Sequence, residues 1–305
     1  MQSPKYLPVI KGIYADKIGW AWLSMHPNAI PILEENKDKV DWYSLAQNPN
    51  AIPMLEKMLE ENEDNIFWEG ISQNPNAIHL LEKNQHKIEW ISLSLNPNAI
   101  PLLEKHIENI HWWYLSENPK AIPILEKYPN KIHWHKLSKN PNAIHLLEKN
   151  INQINWDYLS LNPNAIPILE KNPEKINWAL LSTNPNAIPI LEKNPEKIHW
   201  QMLSANPNAI SLLEQNPDKM HWYWLSQNPN AIPLLKKNLD KIDWNKLSQN
   251  PNVIDLICDI DYDAMKKTIQ PFAEEIAMKV FHPLRMDRIA KEYNISLDEL
   301  ITEIY

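Results

Sequence analysis

Ile188 to Trp200 reads IPILEKNPEKIHW and runs on into QMLSANPNA. Ile166 to Trp178 reads IPILEKNPEKINW, and Ile210 to Trp222 reads ISLLEQNPDKMHW. One tryptophan marks each copy: Trp20, Trp42, Trp68, Trp90, Trp112, Trp134, Trp156, Trp178, Trp200, Trp222 and Trp244. The step between them is 22 residues throughout, except for 26 between Trp42 and Trp68. A fixed period of this size is the mark of stacked units, each of which buries its apolar face only against its neighbours. The period therefore outranks composition in deciding the fold.

Within one copy, Asn186 is expected to cap a helix that carries Ala187, Ile190 and Leu191 on one stripe, at i, i+3 and i+4. Pro189 fits in the first turn, where the N–H it lacks would have no intrahelical partner. Asn194-Pro195 stops that helix, since a residue before proline is pushed out of the α region. Ile198 is the next apolar anchor. A second short helix then starts at Trp200, with Leu203 three residues on and Ser204 small enough for a close neighbour. The residue before Trp is often a capping type: Asp41, Asn155, Asn177 and Asp243. Helices this short are marginal alone, so stacking must stabilise them. The expected fold is an all-α solenoid of short helix pairs, α/α or α/3₁₀, with about eleven to twelve turns over residues 1–256. Its path is on the order of 100 Å at roughly 8–10 Å per layer.

The tryptophan ladder is expected to be structural core, because each Trp stands three residues before Leu or Ile in every copy. The repeated Asn-Pro-Asn is expected to form a ladder of side-chain bonds to backbone. At the N-terminus, Leu7-Pro8-Val9-Ile10 stands where a degenerate first helix is expected, and His26 replaces the usual Asn before Pro27. Between Lys57 and Ile66 four extra residues, about one helical turn, lengthen a first helix without rotating its stripe.

What varies is the pair of positions after each Trp and the one after each Ser. Variable aromatic positions on a constant frame are how repeat arrays write binding surfaces. Trp22, Tyr43, Trp113, Tyr114, Tyr158, Tyr223 and Trp224 are therefore the partner-binding candidates. His111, His133, His199 and His221 precede Trp in four copies. Layers 8–10 Å apart hold them too far apart to share a zinc at about 2 Å each, so no metal is expected.

The tail, 257–305, is expected to be a small helical cap. Its RIAKEYNISLDELI has the layout of a helix-turn-helix, but 257–305 carries six Lys/Arg against ten Asp/Glu, the wrong sign for phosphate contacts. The whole chain has a formal net charge of -8, which disfavours nucleic acid generally. No apolar run approaches the ~20 residues of a membrane span. The lone Cys258 is expected to be buried and inert, and no signal-peptide layout is visible at the start. With three glycines in the chain and no phosphate loop, paired carboxylates or triad spacing, no catalysis and no cofactor are expected.

With Asn-Pro-Asn-Ala-Ile, Leu-Leu-Glu-Lys-Asn and Ile-x-Trp-x-x-Leu-Ser in view, residues 7–256 resemble the tandem 22-residue-repeat proteins of giant DNA viruses of amoebae and related viruses. The HPLRMDRIAKEY segment is similar to the ending such proteins often carry. The resemblance implies a viral protein in host cytoplasm or virion, and it brings no activity with it. Three functions follow as expectations. The first is a scaffold holding a protein partner along a groove. The second is a virion structural protein, and the third, disfavoured by charge, is single-strand RNA reading at one base per repeat.

Overall fold

A computed structural model describes residues 9–10, 17–61 and 67–259. The array belongs to one compact unit, Ile10–Cys258. The helical cap and helix-turn-helix expected in the tail lie outside the described residues, as does the side chain of Cys258.

Each copy contains two short α-helices, and nearly every copy joins them to the next through a 3₁₀ turn. In one interior example these are Ile188–Glu192, a 3₁₀ turn over Pro195–Lys197, and Trp200–Leu203. We call the two α-helices the Ile helix and the Trp helix. Eleven Trp helices, from Trp20–Met25 to Trp244–Leu247, alternate with eleven Ile helices, from Ile30–Glu35 to Ile254–Ile257. We number a copy from its Trp helix. The third Trp helix follows the inserted turn, and the Ile helix before it is correspondingly longer, Ile52–Glu61.

Capping explains why such short segments hold their shape. Asp41, Asn155, Asn177 and Asp243 each accept a hydrogen bond from the backbone N–H three residues on, as their position before Trp suggests. His199 does the same for Met202. At the other end Asn194 Nδ2 donates to Ile190 O at 2.8 Å, closing the last turn of the Ile helix. One expectation is corrected here. The cap before the Ile helix is the first Asn of Asn-Pro-Asn, not the second: Asn184 Oδ1 accepts from Asn186 N at 3.0 Å. Asn186 instead reaches back to Pro163 O of the preceding copy at 2.9 Å.

The core is a continuous row of Ala187, Leu191 and Leu203 equivalents, which are fully buried in copy after copy. The eleven tryptophans are not inside this row. All are half-buried and pack against its edge. The leucine or isoleucine three residues on is the fully buried side chain of each Trp helix. The outer faces of several rings carry a cation, as where Lys39 lies 5.0 Å above Trp20 and Lys241 lies 4.8 Å above Trp222.

Two hydrogen-bond ladders tie copy to copy. The serine after the buried leucine donates to the Trp carbonyl of its own helix and accepts the N–H preceding the next Trp. Ser138 Oγ, for example, takes Asn155 N at 2.9 Å. The first Asn of the next copy donates to two carbonyls of the copy before it: Asn162 Nδ2 reaches Ser138 O at 3.0 Å and Asn140 O at 2.9 Å. These asparagines are fully buried, and this is the side-chain ladder the repeated motif implies. At the insertion the serine position is Ala46, which has no hydroxyl for the serine bond. A Cβ on Gly70 would sit 2.7 Å from Ala46 Cβ, so only glycine fits there.

The same contacts join the last copy to the first. Gly19 N donates to Ser248 Oγ at 2.9 Å, the counterpart of Asp41 N on Ser24 Oγ. Lys17 lies 5.0 Å above Trp244, as Lys39 does above Trp20. His26, standing where other copies have Asn, donates from Nε2 to Pro251 O at 2.6 Å, and its Nδ1 accepts from Asn28 N at 3.3 Å. The imidazole thus keeps the acceptor role of the asparagine it replaces but meets the last copy at a different carbonyl, the proline one that the second Asn takes in interior copies. The array is the all-α solenoid of short helix pairs, α and 3₁₀, that the sequence suggests, and its eleven copies close into a ring. The expected first helix at Leu7 to Ile10 is also corrected. Val9–Ile10 is a two-residue strand paired with Cys258–Asp259. The ring is already complete without a further helix, and a β-branched pair favours extended backbone.

Most successive Trp helices are in close contact, whereas successive Ile helices, apart from the last two, stand further apart. In a closed ring the closer-spaced layer is the inner one, so the free face of each Trp helix looks toward the axis. With eleven copies turning about 33° each and inner helices spaced about 8–10 Å, the inner axes lie on a circle about 28–35 Å across. Opposite Trp helices of the array are then separated by roughly 17–24 Å between their surfaces.

Candidate functional site: the inner wall

The positions one, two and five residues after Trp form the free face of the Trp helix, joined by the residue before Trp. The first of these is exposed in most copies, and the second is mostly half-buried between adjacent helices. Among the binding candidates, Trp22 (45% exposed), Tyr43, Trp113 and Tyr223 offer open rings. Tyr114, Tyr158 and Trp224 are half-buried between copies, so they shape the wall more than they present it. The ring brings these candidates onto one wall, but spread around it rather than gathered in one place.

A regular rule links neighbours. The side chain after Trp meets the side chain before the next Trp. Trp113 packs edge-on to His133 with centroids 5.4 Å apart, and Tyr43 meets Phe67 at 5.5 Å. His135 shares a hydrogen bond of 2.8 Å with Asn155, and Asp157 accepts from Asn177 at 2.8 Å. The wall is therefore internally bonded as well as variable.

Lysines occupy part of it, a feature the sequence reading missed. Lys136 Nζ lies 5.7 Å from the Trp113 ring and 5.6 Å from the Tyr158 ring, while donating to Glu117 at 2.8 Å. Lys139 takes the other Glu117 oxygen at 2.7 Å. Burial pushes the Glu117 carboxyl up, but the bonds from Lys136 and Lys139 outweigh it and hold the group below the usual carboxylate range. The bond to Glu117 in turn raises the Lys136 ammonium. Lys246 lies 5.0 Å from both Tyr223 and Trp224. Any partner covering these aromatic rings must displace or share a lysine. Trp22 has no such cation and stands at the junction between last and first copies. The signal for Lys136 was present in the period, since it occupies the same position as Tyr114 and Tyr158, but an aromatic-only filter passed over it.

Tyr43 sits beside Glu69, whose negative charge raises the phenol above its ordinary value. Among the described residues no group of three or more His, Cys, Asp or Glu is placed to hold a metal ion. No helix among them is long and apolar enough to cross a membrane. No protein-family model, curated protein or solved structure matches the chain.

Proposed function

We propose that the ring is a non-enzymatic scaffold that binds a segment of a partner protein against its inner wall. The observation that carries this reading is the separation of roles within each copy. Leucine, serine and asparagine are buried against neighbouring copies, while the residue types that differ between copies lie on the exposed or half-buried face of the Trp helix. A separation of roughly 17–24 Å admits one α-helix, about 10–12 Å wide with its side chains. The exposed rings of Trp22, Tyr43, Trp113 and Tyr223 supply the aromatic anchors that dominate protein interfaces. The formal net charge of -8 supports a protein partner over nucleic acid. The resemblance to the viral repeat proteins supports a partner in host cytoplasm or in the virion.

A photo-crosslinking amino acid placed at Trp22, Tyr43, Trp113 or Tyr223, and separately at outer residues Glu104 or Glu192, tests this in infected-cell lysate. Crosslinks to one protein from the wall positions alone support it. Crosslinks from the outer positions alone would sink it, and crosslinks solely to virion proteins would turn the reading to a virion structural role.

A further inference from the structure

We propose that the groove at the junction between copies 1 and 11 binds an arginine side chain presented by the partner segment. His26 leaves this junction short of donors. At the ten interior junctions the first Asn of the later copy donates to the carbonyl of the serine, or of Ala46, in the earlier one, as Asn162 does to Ser138 O. At the eleventh, His26 Nε2 donates to Pro251 O instead. Among the described residues nothing donates to Ser248 O. Asn28, whose counterpart Asn164 bonds the proline carbonyl of the copy before it, makes no side-chain bond among them. A groove of about 560 Å³ opens there, with Trp22, Met25, Pro27 and Pro251 as its apolar lining and Asn28 and Ser248 among its polar lining. That size lies within the roughly 300–1,000 Å³ of ligand pockets.

Three features of the groove match a guanidinium. The first is the Trp22 ring, which is exposed and carries no cation among the described residues, whereas Trp20, Trp113, Trp222 and Trp224 each lie under a lysine of this chain. A flat guanidinium stacks on such an open face, which a compact ammonium does not. The second is the pair of idle acceptors, Ser248 O and Asn28 Oδ1. An arginine head is all donors, five N–H groups in a fixed fork, and its stem is apolar enough to lie along Met25 and Pro27. The third is charge. No Lys, Arg, Asp or Glu lines the groove, so no fixed cation repels the guest, and the whole chain carries a formal net charge of -8. Burial lowers the His26 pKa, which keeps that ring neutral at about pH 7.5.

The proposal rests on the scaffold reading only in assigning the arginine to the partner, and its test needs no partner. Acetyl-Gly-Arg-Gly-amide is titrated into the full chain at about pH 7.5, with the Trp indole N–H and Met methyl groups labelled for NMR. Trp22→Phe and Met25→Leu proteins assign the two signals. The peptide should shift both saturably. The citrulline peptide, of the same shape without the charge, should bind about five-fold more weakly, the upper end of an exposed cation–π contact. His26→Asn returns the missing donor to Ser248 O and frees Pro251 O for Asn28, so it should fill the groove and abolish both shifts while helical circular dichroism is kept. No saturable shift, equal binding of the citrulline peptide, or undiminished binding to the His26→Asn protein overturns the proposal. If that variant loses its helical signal, Trp22→Leu, a change to an exposed side chain, takes its place, and an undiminished Met25 shift then overturns the proposal. Crosslinks from Tyr43 and Trp113 to one partner would survive such a failure, whereas their absence would sink the scaffold reading and leave this titration standing.

Discussion

Asn162→Ala is the substitution that most severely tests the ladder. Its carboxamide is fully buried and makes three bonds: to Ser138 O at 3.0 Å, to Asn140 O at 2.9 Å and from Asn164 N at 3.0 Å. Asn140 O keeps a second partner in Ala143 N. Losing an ordinary hydrogen bond costs about 1 kcal/mol net, and a buried group left unpaired costs about 1–3 kcal/mol. Two bonds of the first kind, to Asn140 O and from the exposed Asn164, and one orphaned carbonyl, Ser138 O, sum to about 3–5 kcal/mol. For a unit of this size each kcal/mol moves the melting temperature by about 2–4 °C, so a fall of roughly 6–20 °C is expected. The neighbouring Asn164→Ala removes a solvent-exposed bond to Pro141 O and should cost about 0.5–1 kcal/mol, or roughly 1–4 °C. Asn162→Asp should be at least as damaging as alanine, because it sets a carboxylate against two carbonyl oxygens while losing both N–H donors. Melting curves by circular dichroism and urea titrations at pH 7 measure all three. Equal losses for Asn162→Ala and Asn164→Ala would refute the claim that the buried asparagines tie the copies together.

Further outcomes follow from the same geometry. Burial lowers the His26 pKa, opposed in part by the Pro251 and Asn250 carbonyls and by Asp255. The folded seam thus binds fewer protons than the unfolded chain. Its full strength is present above the ordinary histidine value of about 6.5 and is lost as pH falls through the lowered folded value. Hydrogen-exchange protection at Gly19, after division by the intrinsic rate at each pH, should therefore fall below about pH 6.5, and His26→Asn, which restores the repeat motif, should remove that dependence relative to the unaltered chain. Gly70→Ala drives a methyl into Ala46 and should cost about 1–3 kcal/mol in urea titrations, whereas Gly19→Ala, whose Cβ meets chiefly the exposed Trp22 ring, should cost less. Leu137→Ala should lose about 2–5 kcal/mol, while half-buried Trp134→Ala should lose only about 2 kcal/mol, so the leucine variant melting above the tryptophan one would count against the assigned core.

The period made much of this fold legible. Trp, Leu and Ser at fixed spacing placed the helices, and Asp41, Asn155, Asn177 and Asp243 placed caps that the structure contains. Closure was not legible, because it depends on the rotation between copies, and a string of identical copies carries no direct statement of that angle. His26 hid it further. As a sequence change it reads as degeneration of a terminal copy, and only the geometry shows its imidazole bonded to the last copy. The cap was assigned one Asn too late because both asparagines of the motif are good N-cap types. What separates them is the preceding copy, whose carbonyls one meets buried and the other meets at the rim. The aromatic wall was partly legible from variability at the positions after Trp. Its lysines and the half-buried state of Tyr114, Tyr158 and Trp224 depend on how closely neighbouring helices approach.

The account rests on a ring, and one distance tests it. Spin labels at Ala21 and Asn245, which occupy the position after Trp in copies 1 and 11, should give by pulsed electron paramagnetic resonance the same short separation as labels at Ala179 and Gln201 in adjacent interior copies. At dilute concentration, coincident distributions for the two pairs are the expected result. A seam distribution centred far beyond the interior one would mean that the copies form an open arc, and would contradict the closed wall on which the functional reading depends.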